Sequence, residues 1–231
     1  MRAQNRGPWR QRAVSSGERA VCIHSHVPDR PMTTTEPASI PATSPLLRGF
    51  LEQLAFIRRE TEALTGGIPD ARFNWVPGPG RWSVSQVVNH LNVAGRDYLE
   101  RIAPLLADAR ARGVRDRGDY KPSWVGGLMV RSMEPPPRRR FKVPKIWAPA
   151  EAGPALDRAA ELRRLDALHD AIEAQIRAAG GLDLRRIRIA SPVSPLIRMN
   201  VGDALNLVLT HERRHLYQLR RITEEAGYPK A

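Results

Sequence analysis

The chain has 231 residues, 42% of them hydrophobic, enough to bury a sizeable core in one domain plus extensions. Its single cysteine, Cys22, excludes a disulfide framework, a thiolate zinc knuckle and a Cys-x-x-Cys redox pair, and no apolar run nears the roughly 20 residues of a membrane-spanning helix, so a cytoplasmic protein without membrane contact is expected. The net charge of +13 favours anionic partners in general, but the arginines are spread over every segment and are not interleaved with aromatics on one face, which argues against nucleic acid.

Residues 1–43 mix Arg, Ser, Pro and Thr without an apolar period, the composition of a segment that cannot offset the entropy of ordering itself. They are expected to be a disordered extension, with His24 and His26 solvated. Met32 opens Met-Thr-Thr-Thr-Glu and is an alternative start; the intact mass of the protein from its native cell tests this. The folded domain is expected over 44–229.

A first helix is predicted from about Pro45 to Leu64, with Ser44 as N-cap, and Gly66 and Gly67 end it. Leu47, Phe50, Leu51, Leu54, Ile57, Thr61 and Leu64 form its apolar stripe. A turn-rich loop with Trp75 and Trp82 follows, and both rings are expected to plug the end of the fold. Ser83 and Gln86 have the spacing of a capping box for a second helix to about Ala109. Val84, Val87, Leu91, Ala94, Tyr98, Ile102 and Leu105 line its inner face, and His90 lies beside that stripe.

From Arg110 to Pro154 the periodicity is lost, apart from a short helix near Trp124 to Arg131, and the basic run Arg138-Arg139-Arg140 follows three prolines. A connection this long acts as a crossover, allowing the next helix to run parallel to the second. That third helix is predicted from about Ala155 to Ala179, with Leu162, Leu165, Leu168, Ile172 and Ile176 facing in and His169 structural or on the surface. Residues 182–199 read as a linker with two Ser-Pro turns. Asn200 caps a fourth helix that Gly227 ends, and Asp203 sits in its first turn, where negative charge favours the helix dipole. The expected fold class is all-α, a four-helix bundle with a long crossover between its second and third helices.

On the fourth helix Val201, Leu205, Val208, His211, His215, Leu219 and Ile222 recur at steps of three or four. His211 and His215 therefore sit one turn apart on the inward stripe, where two imidazoles can share one metal ion. The segment reads literally H-E-x-x-H, yet the position where metzincins place a third histidine is Arg221. Glu224 and Glu225 lie roughly 14 Å along the same helix axis, too far to close the site. A third ligand must come from upstream, and His90 is the candidate.

The run Trp82-Ser83 through His90-Leu91 resembles the W-S-x-x-x-x-x-x-H-L signature of the DinB-like superfamily, which includes YfiT-type metalloenzymes. Asn200-Val201-Gly202-Asp203-Ala204-Leu205, followed by His211-Glu212-Arg213-Arg214-His215-Leu216-Tyr217-Gln218, is similar to its last-helix motif. The resemblance spans about Leu46 to Pro229 and implies an up-down-down-up four-helix bundle, a homodimer, and a divalent metal on His90, His211 and His215. Characterised relatives include transferases that use mycothiol or bacillithiol and a mycothiol-dependent maleylpyruvate isomerase.

Three imidazoles suit zinc, nickel, copper or iron, with zinc or nickel the expected choice. Such a metal lowers the pKa of water or thiol bound to it, which predicts a metal-dependent S-transferase or hydrolase, with Glu212 either its general base or a solvated helix residue beside Arg213. Because Cys22 is the sole protein thiol, thiol chemistry would need a small-molecule cosubstrate, and the basic stretch from Arg138 to Lys145 would suit an anionic substrate. The competing expectation is a non-catalytic, stress-response or binding module with a structural metal. Gln218 and Tyr217 either support the ligands, line the pocket or lie on the helix surface.

Overall fold

The computed structural model describes residues 44–137, 142–149 and 155–229. The expected N-terminal extension, with Cys22 and the alternative start, lies outside the described residues, as does the Arg138–Arg140 run.

Helix α1 spans Pro45–Thr65, its first turn closed by Ser44 Oγ, which accepts from the Leu47 N–H. One turn, α2 (Asp70–Phe73), buries Phe73. Helix α3 (Val84–Ala111) starts at the expected capping box, Ser83 and Gln86 each satisfying the other's backbone N–H. Helix α4 (Trp124–Met133) is capped by Ser123, and a 3₁₀ turn covers Lys145–Trp147. Helix α5 (Arg158–Ala178) begins three residues later than expected because Asp157 supplies the cap, accepting from the Ala160 N–H at 2.9 Å. Helix α6 (Val201–Thr223) is capped by Asn200.

The expectation of an all-α chain is corrected at 182–199. The chain is mostly helical but carries a small two-stranded antiparallel sheet, β1 (Arg188–Ser191) and β2 (Ser194–Asn200). Arg188 pairs with Asn200 and Ile189 with Met199, and the turn falls at Pro192-Val193. The Ser-Pro dipeptides conceal the strand signal, which is the period-two burial of Ile187, Ile189 and Ser191. Val201 N–H donates to Ile187 O and joins the hairpin to the start of α6.

Helices α1 and α3 each pack against both α5 and α6, and α4 lies on α6 and β2. The predicted stripes are the buried ones: Leu47, Phe50, Leu54 and Ile57 of α1, Val87, Leu91 and Ile102 of α3, Leu165, Ile172 and Ile176 of α5, Leu205 and Leu219 of α6. Burying each such side chain contributes roughly 1.5–3 kcal/mol. At Gly95 the α3 backbone comes so near α5 that an added Cβ would stand 2.7 Å from Leu168 Cδ2. Among the described residues no helix is long and apolar enough to cross a membrane.

Candidate metal centre

The packing of α3 against α6 brings two distant stretches of sequence to one point. His90 Nε2 lies 3.2 Å from His211 Nε2, and His215 Nε2 lies 3.1 Å from that same atom. One ligand atom from each ring falls within 4.8 Å of the other two. Three nitrogens on one tetrahedral zinc at about 2.0–2.1 Å would stand roughly 3.3 Å apart, and the two separations from His211 Nε2 match that spacing.

Hydrogen bonding fixes which nitrogens face inward. A carbonyl oxygen can only accept, so His90 Nδ1 carries its proton and donates to Trp147 O at 2.8 Å. His215 Nδ1 likewise donates to Gln218 Oε1 at 2.9 Å. In their neutral forms both rings then present a bare lone pair at Nε2, aimed at His211 Nε2, which holds at most one proton. That proton can satisfy one lone pair and leaves the other facing nitrogen. Such a donor set fits a divalent cation of borderline softness and is costly without one.

Electrostatics keep the rings neutral, the form a metal needs. Burial, then the neighbouring His90 and Arg214, bring His211 down to about 3. His215 is pushed well below the usual imidazole range by burial, His211 and His90, and His90 is lowered chiefly by burial. The half-buried guanidinium of Arg214 donates to Ser132 O at 3.3 Å, and its positive charge opposes protonation of both His211 and His215. Trp82 does not merely plug the end of the fold: its ring stacks on His215 at 6.3 Å and 10° and lies 5.1 Å from His90. Trp75 instead meets Tyr228 edge-on at 5.5 Å.

Glu212 faces elsewhere than its neighbours on α6. Its carboxylate is 1% exposed and lies 3.5 Å from His169 Nε2 on α5, long for a hydrogen bond, and its negative charge is also felt at His90. His169, 1% exposed, is therefore structural and not a surface group. Tyr217 is exposed at the helix surface. Sequence reasoning missed the Trp147 carbonyl altogether, since a backbone acceptor leaves no residue signature. Trp147 is held in turn by its indole N–H, which donates to Asp97 Oδ2 at 3.0 Å.

The conserved sequence pattern of the DinB superfamily matches residues 53–219, which contain all three histidines and every long helix except the start of α1 and the end of α6. The chain belongs to the DinB superfamily. Comparison with curated proteins and with solved structures finds no match. Membership in this superfamily and the convergence of His90, His211 and His215 agree on one point, a site compatible with metal binding.

Proposed function

We propose that this DinB-superfamily protein holds a divalent cation, zinc or nickel, on His90, His211 and His215, and that it is a metal-dependent enzyme acting with water or a small-molecule thiol. The single observation that carries the reading is the meeting of three neutral Nε2 atoms with too few protons to satisfy one another. When bound, the cation supplies Lewis acidity that lowers the pKa of a water or thiol beside it. The chain's own residues do the rest. Trp147 O and Gln218 Oε1 fix the ring orientations. Trp82 covers one side of His90 and His215 and excludes water there. Arg214 brings positive charge beside the histidines, which favours an anionic substrate such as a carboxylate-bearing thiol acceptor. Glu212 is the carboxylate proposed to accept the proton released on activation, a role that requires it to turn from His169 toward the three rings.

The finer architecture belongs to the same proposal. Because α1 and α3 each touch both α5 and α6, the four long helices read as a closed up-down-down-up bundle, with 112–157 as the crossover. Trp124, 79% exposed on α4, and Leu196, 91% exposed on the adjoining β2, support a homodimer in which this face is covered. The lone cysteine agrees with a cytoplasmic location.

Elemental analysis of the purified protein, followed by turnover assays of the zinc- and nickel-loaded forms with mycothiol, bacillithiol and glutathione, tests the reading. One metal per chain and thiol-dependent turnover are expected. A loaded protein that binds no thiol, turns nothing over and only melts earlier on chelation has a structural metal, and the enzyme reading is then wrong.

A further inference from the structure

The end of α6 remote from the histidines carries a concave feature. A depression of about 380 Å³ is lined by Lys121, Ser123, Arg185, Arg186, Arg188 and Asn200, with Pro122 and Asp183 completing its wall. Asn200 and His211 are separated by eleven residues, roughly 16 Å along the helix axis, so the two sites are distinct.

Four cationic side chains here meet a single carboxylate. Asp183 is partly occupied, since its Oδ1 accepts from the Arg185 backbone N–H at 3.2 Å. Elsewhere Arg58, Arg81, Arg158, Arg213 and Arg220 each find a carboxylate on another segment of the chain. Among the described residues, Lys121, Arg185, Arg186 and Arg188 enter no ion pair of that kind. The backbone that carries them is nonetheless fixed. Arg186 N–H donates to Asp183 O, Arg188 is paired with Asn200 in the hairpin, and Leu184, Ile187 and Ile189 are buried between them. The nearby buried Asp203 adds a second negative charge, but its oxygens are taken up by Tyr120 OH at 2.6 Å and by Ser123 N–H and Oγ–H at 3.0 and 2.6 Å and pair with none of the four cations, so positive charge stays in excess.

Like charges held together on a rigid backbone repel one another and favour a bound anion. Guanidinium groups bind the tetrahedral phosphate through paired N–H donors. The depression is several times larger than a phosphate group, leaving room for an organic body. We propose that this depression binds a phosphate monoester through Lys121, Arg185, Arg186 and Arg188. A soluble ester and a lipid headgroup share that chemistry, and the test separates them.

The full chain, metal-loaded, is titrated calorimetrically with glycerol 3-phosphate at about 0.15 M salt, a strength at which loose surface attraction is screened. Saturable one-to-one binding tighter than about 1 mM is expected. The double variant Arg186→Gln/Arg188→Gln should lose at least about tenfold in affinity, and Arg59→Gln/Arg163→Gln, which removes two exposed arginines of α1 and α5, should lose none. Equal melting temperature and metal content show that both variants fold. Co-sedimentation with phosphatidate vesicles without binding of glycerol 3-phosphate assigns the phosphate to a lipid; the reverse assigns it to a soluble metabolite. Failure of both, equal affinity in the two double variants, or binding of duplex DNA alone with a steep salt dependence overturns the proposal.

Discussion

The two halves of α6 bury polar groups in opposite ways. Near its start, Asp203 is 2% exposed, and hydroxyl and amide donors from Tyr120 and Ser123 converge on its oxygens. Tyr120 OH reaches Asn200 Oδ1 as well, and Asn200 Oδ1 accepts from the Asp203 N–H at 2.7 Å, so the cluster is closed on itself. Three turns further on, the Nε2 atoms of His90, His211 and His215 face one another with lone pairs in excess. A satisfied polar cluster needs nothing from outside and serves the fold. An unsatisfied one is compatible with a bound cation, whose coordination would use the spare lone pairs.

The largest effects should come from removing a histidine. His90→Ala, His211→Ala and His215→Ala are each expected to lower metal affinity by at least about a thousandfold, read by elemental analysis and competition with a chromogenic chelator. A variant that kept full stoichiometry would make the histidines as structural as Asp203 and erase the contrast. Asp203→Ala is expected to destabilise by roughly 2–4 kcal/mol in denaturant melts, because several buried donors lose their acceptor, while metal stoichiometry of the folded protein stays at one. Gly126→Ala should behave the same way, since its new Cβ would collide with the Asp203 carboxylate.

Changes at the partners of the ligands come next. Gln218→Ala frees the Nδ1 of His215 and should weaken metal binding by about tenfold or more with little loss of stability. The metal-free protein should also respond to pH in a defined direction. Its three rings titrate below the unfolded value of about 6.5, His211 at about 3. As pH falls below 6.5 the unfolded chain takes up protons that the folded chain refuses, so stability should decline from there toward pH 3. Thermal melts with chelator across that window would show the slope, and the His215→Ala variant should flatten it. Least of all should follow from the solvent-screened pair Arg81–Glu225, where Arg81→Ala is expected to leave both the melting temperature and metal binding unchanged.

Much of this was open to sequence reasoning because it rests on local rules. The caps at Ser44, Ser83 and Asn200, the inward stripes of the four long helices and the one-turn spacing of His211 and His215 depend only on residue type and the 3.6-residue period. The hairpin at 188–200 escaped because strand pairing is settled by a partner across the turn, and the prolines at 192 and 195 signalled only that turn. The sequence leaves Trp82 as an end plug because its stacking on His215 joins residues more than 130 positions apart, a relation no local pattern encodes.

Residue type and spacing alone set the long amphipathic helices and put two imidazoles on one face of the last, since helical periodicity follows from steric and hydrogen-bond geometry within a few residues. Helix packing, by contrast, is what brings His90 to that pair, lets a main-chain carbonyl from Trp147 set its tautomer, and turns Glu212 toward His169. Those contacts cross 57, 121 and 43 residues, and their existence depends on how helices pack, which is a property of the whole core.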